Sequence, residues 1–245
     1  MKTITIEDPH HKMSIEEQLN LTVKKSNDLV RESRHQLSAK ELTLVDFMIS
    51  KHKDSASGLL QIQTTIAEIN SVCNFGEGGN NQKSTEEALI NLSVKSFEVT
   101  TKTGWRTIAR WLEKPLFKNG EVILQLDKDL LPELPALVNK PGTYTQYYFK
   151  DSVNLKQINA KRLYEFLRSY DAYQVVEVPK RKIMVLFQKE DMEWYRFTKY
   201  LRNAVAAINS HTSMDLSYQT IKEGRETVTI RFKILKREHE LIPNK

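Results

Sequence analysis

Cysteine is almost absent: Cys73 is the single one in 245 residues, so no disulfide can close within the chain. It stands between Val72 and Asn74 with no histidine nearby, which reads as a structural thiol at a helix end rather than a nucleophile. No apolar run approaches the ~18 residues of a membrane span. The N-terminal stretch through Met13 has no apolar segment that would serve as a signal peptide. The expectation is a cytoplasmic protein without membrane contact. His10 and His11 are adjacent, which sends their side chains apart, and no cluster has metal-ligand spacing. No histidine–apolar–histidine triplet accompanies the many tyrosines, as a tyrosine nuclease would need. Gly76, Gly78 and Gly79 lack the lysine and hydroxyl of a nucleotide-binding loop, and no carboxylate set has recognisable metal spacing. These absences predict a non-enzyme with no cofactor and no metal.

What is present suits a globular protein: 40% hydrophobic and 28% charged residues can build a core. The net charge is +6 and the pI about 9.2. That excess is modest, so its placement matters more than its size. Residues 180–203 hold seven basic side chains against three acidic, two thirds of the whole excess.

The polar segment 1–21 is expected to be a flexible, partly disordered tail, although Ser14 and Glu17 have the spacing of a helix cap. Ser38 and Glu41 form a clearer capping box, followed by Leu42, Val45, Met48 and Ile49 at helical steps. That helix should stop near 54–58. A short strand is predicted over Leu59–Ile62, then a short helix capped by Thr64 or Thr65. The glycine loop precedes a helix over 82–94. Strands are predicted over 97–101, 105–111 and 122–126, with turns at Thr103-Gly104 and Asn119-Gly120. Pro132, Pro135 and Pro141 mark a boundary between domains near 127–145. A second cycle then begins. Asn159-Ala160-Lys161-Arg162-Leu163 echoes Ser38-Ala39-Lys40-Glu41-Leu42 at an offset of 121 residues. Its helix, about 155–170, buries Leu163, Phe166, Leu167 and Tyr170. Residues 175–188 read equally as strand or short helix. A long amphipathic helix covers 192–209, and a hairpin over 216–222 and 227–235 closes the cycle. Helix, strand, helix, helix, hairpin, twice over, is the order of two tandem winged-helix domains in an α+β chain. The expected boundaries are 22–135 for the first domain and 141–245 for the second.

The long helix carries Trp194, Phe197, Leu201, Ala204, Val205 and Ile208 on a core stripe. Arg196, Lys199 and Asn203 recur on another face, flanked by Arg202. Arginine can donate two bonds to guanine and asparagine two to adenine in a major groove, although a solvated helix face has the same pattern. The hairpin strengthens the DNA reading. Val228, Ile230, Phe232 and Ile234 alternate with Thr227, Thr229, Arg231 and Lys233, and Lys222 and Arg225 bracket the turn. Lys180, Arg181 and Lys182 add a basic run upstream. The corresponding first-half helix is poorer, with Lys83 against Glu86 and Glu87. Asn81, Gln82, Lys83 and Ser84 at its N-terminus remain candidates for base or phosphate contact. The second domain is therefore expected to be the main DNA-binding one.

Three segments resemble the iteron-binding Rep initiator proteins of bacterial plasmids. The first joins Lys25-Ser26-Asn27-Asp28-Leu29 to Leu37-Ser38-Ala39-Lys40-Glu41-Leu42. The second runs from Asn154 to Leu167 and includes Arg162-Leu163-Tyr164-Glu165. The third runs from Phe197 through Leu201, Ala204 and Ile208-Asn209 to Gly224-Arg225 and Ile230-Arg231-Phe232-Lys233-Ile234. The resemblance spans roughly 24–235 and is poorest over 171–190. Gln157 and Ile158 depart from a serine-containing stretch, and Ala207 stands where an acidic residue is usual. The resemblance implies two winged-helix domains that bind repeated origin sites in double-stranded DNA as monomers. It also implies opening of adjacent AT-rich DNA and recruitment of the host replication initiator and replicative helicase. A homodimer formed chiefly through the first domain would repress the protein's own gene. The alternative is a tandem winged-helix transcriptional regulator with no replication role.

Overall fold

The structure, a computed structural model, describes residues 13–32, 35–51, 61–100, 106–128, 130 and 144–236. His10, His11, the 54–58 helix stop, Leu59, the Thr103-Gly104 turn and the three prolines lie outside them. The chain divides into two compact units between Val153 and Asn154.

The first unit opens with α1 (Ile15–Leu19), where Ser14 and Glu17 make a complete capping box. Gln18 is buried and donates to Glu68. Residues 13–21 are thus built into the unit, contrary to the expected tail. The chain continues through β1 (Thr22–Ser26) and α2 (Asn27–Glu32) to α3 (Ala39–Ser50). The Ser38 box forms in full, with Glu41 N–H donating to Ser38 Oγ and Ser38 N–H to Glu41. Leu42, Leu44, Val45, Phe47 and Met48 are all essentially buried, so α3 is enclosed on every side and forms the centre of the unit. Then come β2 (Gln61–Thr65) and α4 (Ile66–Val72), the latter capped by Thr65. Gln61 and Ile62 of the predicted strand are in β2, which runs on to Thr65. The next helix, α5 (Gly79–Val94), starts three residues earlier than predicted, at the glycine loop itself.

After α5, β3 (Ser96–Thr100) pairs with β4 (Arg106–Arg110), and β5 (Leu116–Lys118) pairs with β6 (Glu121–Gln125). Asn119 and Gly120 turn the second hairpin with φ of 50° and 82°, as a two-residue primed turn requires. β6 also pairs with β2, giving the order β2-β6-β5. The β3–β4 ribbon is an addition between α5 and the β5–β6 hairpin.

β7 (Tyr144–Tyr148) returns to pair antiparallel with β1, Thr22 opposite Tyr148 and Ser26 opposite Tyr144. α6 (Phe149–Asn154) follows. The pairing moves the boundary. Residues 144–153 belong to the first unit, not to a second domain starting at 141. Polar contacts weld the ribbon to α3. Asp46 is wholly buried, 2.6 Å from Lys25 Nζ. It also accepts from the hydroxyls of Tyr147 and Ser152. Such a pair is tolerable in the interior only because the remaining lone pairs are also met.

The second unit repeats the plan: α7 (Ile158–Arg168), β8 (Val175–Pro179), α8 (Lys180–Leu186), α9 (Trp194–His211), β9 (Met214–Glu223) and β10 (Glu226–Lys236). The 175–188 ambiguity resolves as a strand followed directly by a helix. The sheet order β8-β10-β9 matches β2-β6-β5 of the first unit. The helix-to-helix turns match too. After α4, Phe75 N–H reaches Asn70 C=O across Asn74, whose φ is 52°; after α8, Lys189 N–H reaches Met184 C=O across Gln188 at 57°. Both are the left-handed closure of a helix end. α7, like α3, is buried along nearly its whole length, though Tyr170 beyond it is only half-buried.

One detail of the last hairpin differs from simple alternation. The register shifts between Thr227 and Thr229, Thr227 is buried, and Val228 is half-buried. This bulge restarts the pattern, so Ile230, Phe232 and Ile234 alone keep the expected inward face.

Candidate nucleic-acid interface

α9 buries Phe197, Leu201, Ala204, Val205 and Ile208. Trp194 is half-buried and stacks on Phe197 with ring centres 5.5 Å apart. Phe187, which ends α8, meets the same Phe197 ring at 5.3 Å. These contacts fix the rotation of α9, and with it what faces outward. Arg196, Lys199, Arg202 and Asn203 are all exposed. Steps of three and four place Arg196, Lys199 and Asn203 in one stripe, with Arg202 beside it. Ala206 is exposed and continues that stripe. Its methyl suits contact with a thymine methyl. Tyr195 is 67% exposed on the first turn. Neither residue stood out in the sequence, because alanine and tyrosine are ordinary on amphipathic helices.

The basic run 180–182 is divided by the fold. Arg181 is exposed. Lys182 is half-buried, its ammonium 5.9 Å from the Phe166 ring centre. Lys180 bonds Glu226 at 2.7 Å and lies 5.9 Å from the Trp194 ring centre. Lys180 thus stands where the start of α8, the start of α9 and the base of the wing tip converge. Its hydrogen bond and charge together hold the Glu226 carboxyl below its ordinary pKa of 4.5. Lys189, in the turn before α9, sits 4.4 Å over the Tyr200 ring.

At the wing, Gly224 turns the chain with φ of 59° between the paired residues Glu223 and Glu226. A positive φ at the first turn position favours glycine. Lys222 and Arg225 are exposed beside it. Arg231 and Lys233 are also exposed, but on the opposite face of β10 from Ile230, Phe232 and Ile234. That inner face packs on the helices, so the sheet itself separates these two cations from the stripe on α9. Arg231 is paired with Glu177 across the sheet, Nε to Oε1 at 2.7 Å.

In the first unit the start of α5 is uncapped: Gly78, at φ 102°, offers no side chain, which leaves backbone N–H groups of the first turn open. Gln82 and Lys83 are exposed. Asn81 is held by its side-chain bond to Glu77 C=O. Ser84 accepts from Lys40 Nζ at 3.1 Å, and that ammonium lies 4.7 Å over the Phe75 ring. Partial burial pulls the Lys40 pKa below its usual 10.5, opposed by neighbouring Cys73 and the Glu87 carboxylate. Lys40 escaped the sequence reading because it reaches α5 across 44 residues of chain. Cys73 is buried at the end of α4, as its setting suggested. Among the described residues no group of histidines, cysteines and carboxylates could hold a metal, and no helix is long and apolar enough to cross a membrane.

The fold is shared with solved structures. One, the Pi initiator protein solved in complex with iteron DNA, superposes with a TM-score of 0.73 at 12% identity, covering 90% of this chain and 99% of that one. Domains 2 and 3 of RctB superpose with a TM-score of 0.52 at 15% identity, covering 83% and 85%. No curated protein sequence matches. Family models do: the WH1 domain of the initiator replication proteins over residues 22–168 and the WH2 domain of the initiator Rep proteins over 192–234. The first match runs through α7, which in space packs against α9. With both winged helices matched in order, the chain belongs to the initiator Rep protein family.

Proposed function

We propose that this protein initiates replication of a plasmid by binding repeated duplex sites, or iterons, at its origin. α9 is its main reading helix and the β9–β10 wing its main phosphate contact. The observation that carries this is the exposed stripe of Arg196, Lys199 and Asn203 on a helix whose rotation is locked by Phe197. Cations and an amide at one-turn spacing match the donor and acceptor pattern of a major groove. The Pi initiator, which has the same fold, was solved on iteron DNA, which supports the reading. α5 offers only Lys83 against Glu86 and Glu87 and contributes through its uncapped start.

The wider role is part of the same proposal. Bound protein helps to open AT-rich DNA and recruits the host initiator and replicative helicase. A homodimer represses the protein's own gene from an inverted repeat. The protein acts in the cytoplasm by binding, without catalysis of its own.

Duplexes from the DNA beside the gene, assayed by fluorescence anisotropy, test this. Direct repeats should bind more tightly than scrambled duplex. Arg196→Ala should cost about 1–3 kcal/mol and relax specificity at one base pair. Equal binding of repeat and scrambled duplex would refute the proposal.

A further inference from the structure

Arg196 is not a loose cation. Its Nε–H donates to the Tyr195 hydroxyl at 2.9 Å, and its guanidinium carbon lies 5.5 Å from the centre of that ring. Neighbouring positions on a helix do not ordinarily face each other. Here both side chains lean together in the first turn of α9, where no preceding helical turn crowds them. Tyr195 is 67% exposed, so its ring is not there to fill the core.

The chemistry of the contact decides what Arg196 can do. A guanidinium presents five N–H groups in a rigid fork. It can pair with guanine O6 and N7 side-on, through Nε and one Nη, or end-on, through the two Nη groups. With Nε committed to the hydroxyl, only the end-on edge is open. A tethered arginine has also given up rotamer freedom before DNA arrives, which an untethered one must lose on binding.

We propose that Tyr195 is a positioning residue that fixes Arg196 for end-on reading of one guanine. This rests on the assignment of α9 as the reading helix. The hydroxyl acts through the arginine, and the ring serves to place it.

The test uses the full chain and a duplex selected by the wild-type protein from a randomised pool. Each guanine of that duplex is replaced in turn, and binding is measured for wild type, Y195F, R196A and Y195F/R196A. R196A should abolish discrimination at one guanine. Y195F should lower discrimination about 3- to 10-fold at that same guanine and nowhere else. Its salt dependence and unfolding midpoint should match wild type. The double variant should equal R196A, as expected of two groups acting through one contact. Three results would overturn the proposal: Y195F discriminating like wild type, Y195F weakening all duplexes equally with a shallower salt slope, or additive losses in the double variant. If R196A relaxes one position and Y195F does not, the tether alone falls. If R196A relaxes none, the reading-helix assignment falls and the tether with it.

Discussion

Glu226 occupies Lys180 at the point where the wing, α8 and α9 meet, and removing its charge should strengthen DNA binding. The substitution is Glu226→Gln. The amide is close in size to the carboxylate, and Glu226 is exposed, so packing is preserved. Two changes follow: a negative charge leaves the surface proposed to meet DNA, and the ammonium of Lys180 loses the ionic partner it bonds at 2.7 Å. If the freed ammonium neutralises one phosphate, the slope of log affinity against log salt should steepen by about 0.9. Counterion release alone then gives a gain of about fourfold at 0.2 M salt and about fifteenfold at 0.05 M. These are ceilings, since part of the released charge stays hydrated. The control is Glu177→Gln, which frees Arg231 in the same way. Arg231 lies on the sheet face turned away from α9, so this variant should change neither slope nor affinity. The assay is a salt titration of fluorescence anisotropy on one duplex, with all three proteins at several salt concentrations. Equal gains from both variants would mean that general charge matters rather than placement. No gain from Glu226→Gln would show that Lys180 does not reach the backbone.

Further outcomes can be checked. Lys222→Ala and Arg225→Ala should each weaken all duplexes alike and lower the salt slope by about one unit, read in the same titration. Asp46→Ala should destabilise the first unit by about 3–5 kcal/mol, because Lys25 is left charged and buried; urea unfolding measures this, and a change under ~1 kcal/mol would refute a tight cluster. Phe197→Ala should cost about 3–5 kcal/mol, because it empties a site shared by α8 and α9. As for pH, Lys180 holds the Glu226 pKa below 4.5. A carboxyl depressed on folding keeps its contribution above its unfolded pKa and loses it as pH falls through the lower folded value. The bond is therefore constant across neutral pH, and the Glu226→Gln gain should not change between about pH 6 and 8.

Local signals in this sequence translated well into structure. Ser38 with Glu41, Thr65, the Asn119-Gly120 turn and the α9 stripe are each decided within a few residues by backbone chemistry. The winged-helix order followed from them. What escaped depends on residues distant in the chain. Nothing near Tyr144 announces that it faces Ser26, so the three prolines drew the boundary too early. The 175–188 stretch was ambiguous because strand and helix abut at Pro179 with no turn residues between them. At the candidate site, exposure of Arg196, Lys199 and Asn203 was readable from periodicity. The pairing of Lys180 with Glu226 and of Arg231 with Glu177 was not, because charge counts do not record who neutralises whom. The sidedness of the sheet likewise separates Arg231 and Lys233 from α9, although alternation had joined them to the wing.

The union of β1 with β7 also bears on how the protein is made. Thr22 meets Tyr148, so the first unit's opening strand waits for its closing one. At about 5–20 residues per second on a ribosome, β1 is exposed for roughly 6–25 s before Tyr148 is even synthesised. During that time its backbone edge has no partner, and Asp46 lacks the hydroxyls of Tyr147 and Ser152. Closing a loop of this length is entropically slow. The β1–β7 pairing can therefore form only late, after β7 has been made. A nascent chain stalled ahead of Tyr144 would hold an unsealed edge, a natural place for a chaperone to grip or for two such chains to pair wrongly.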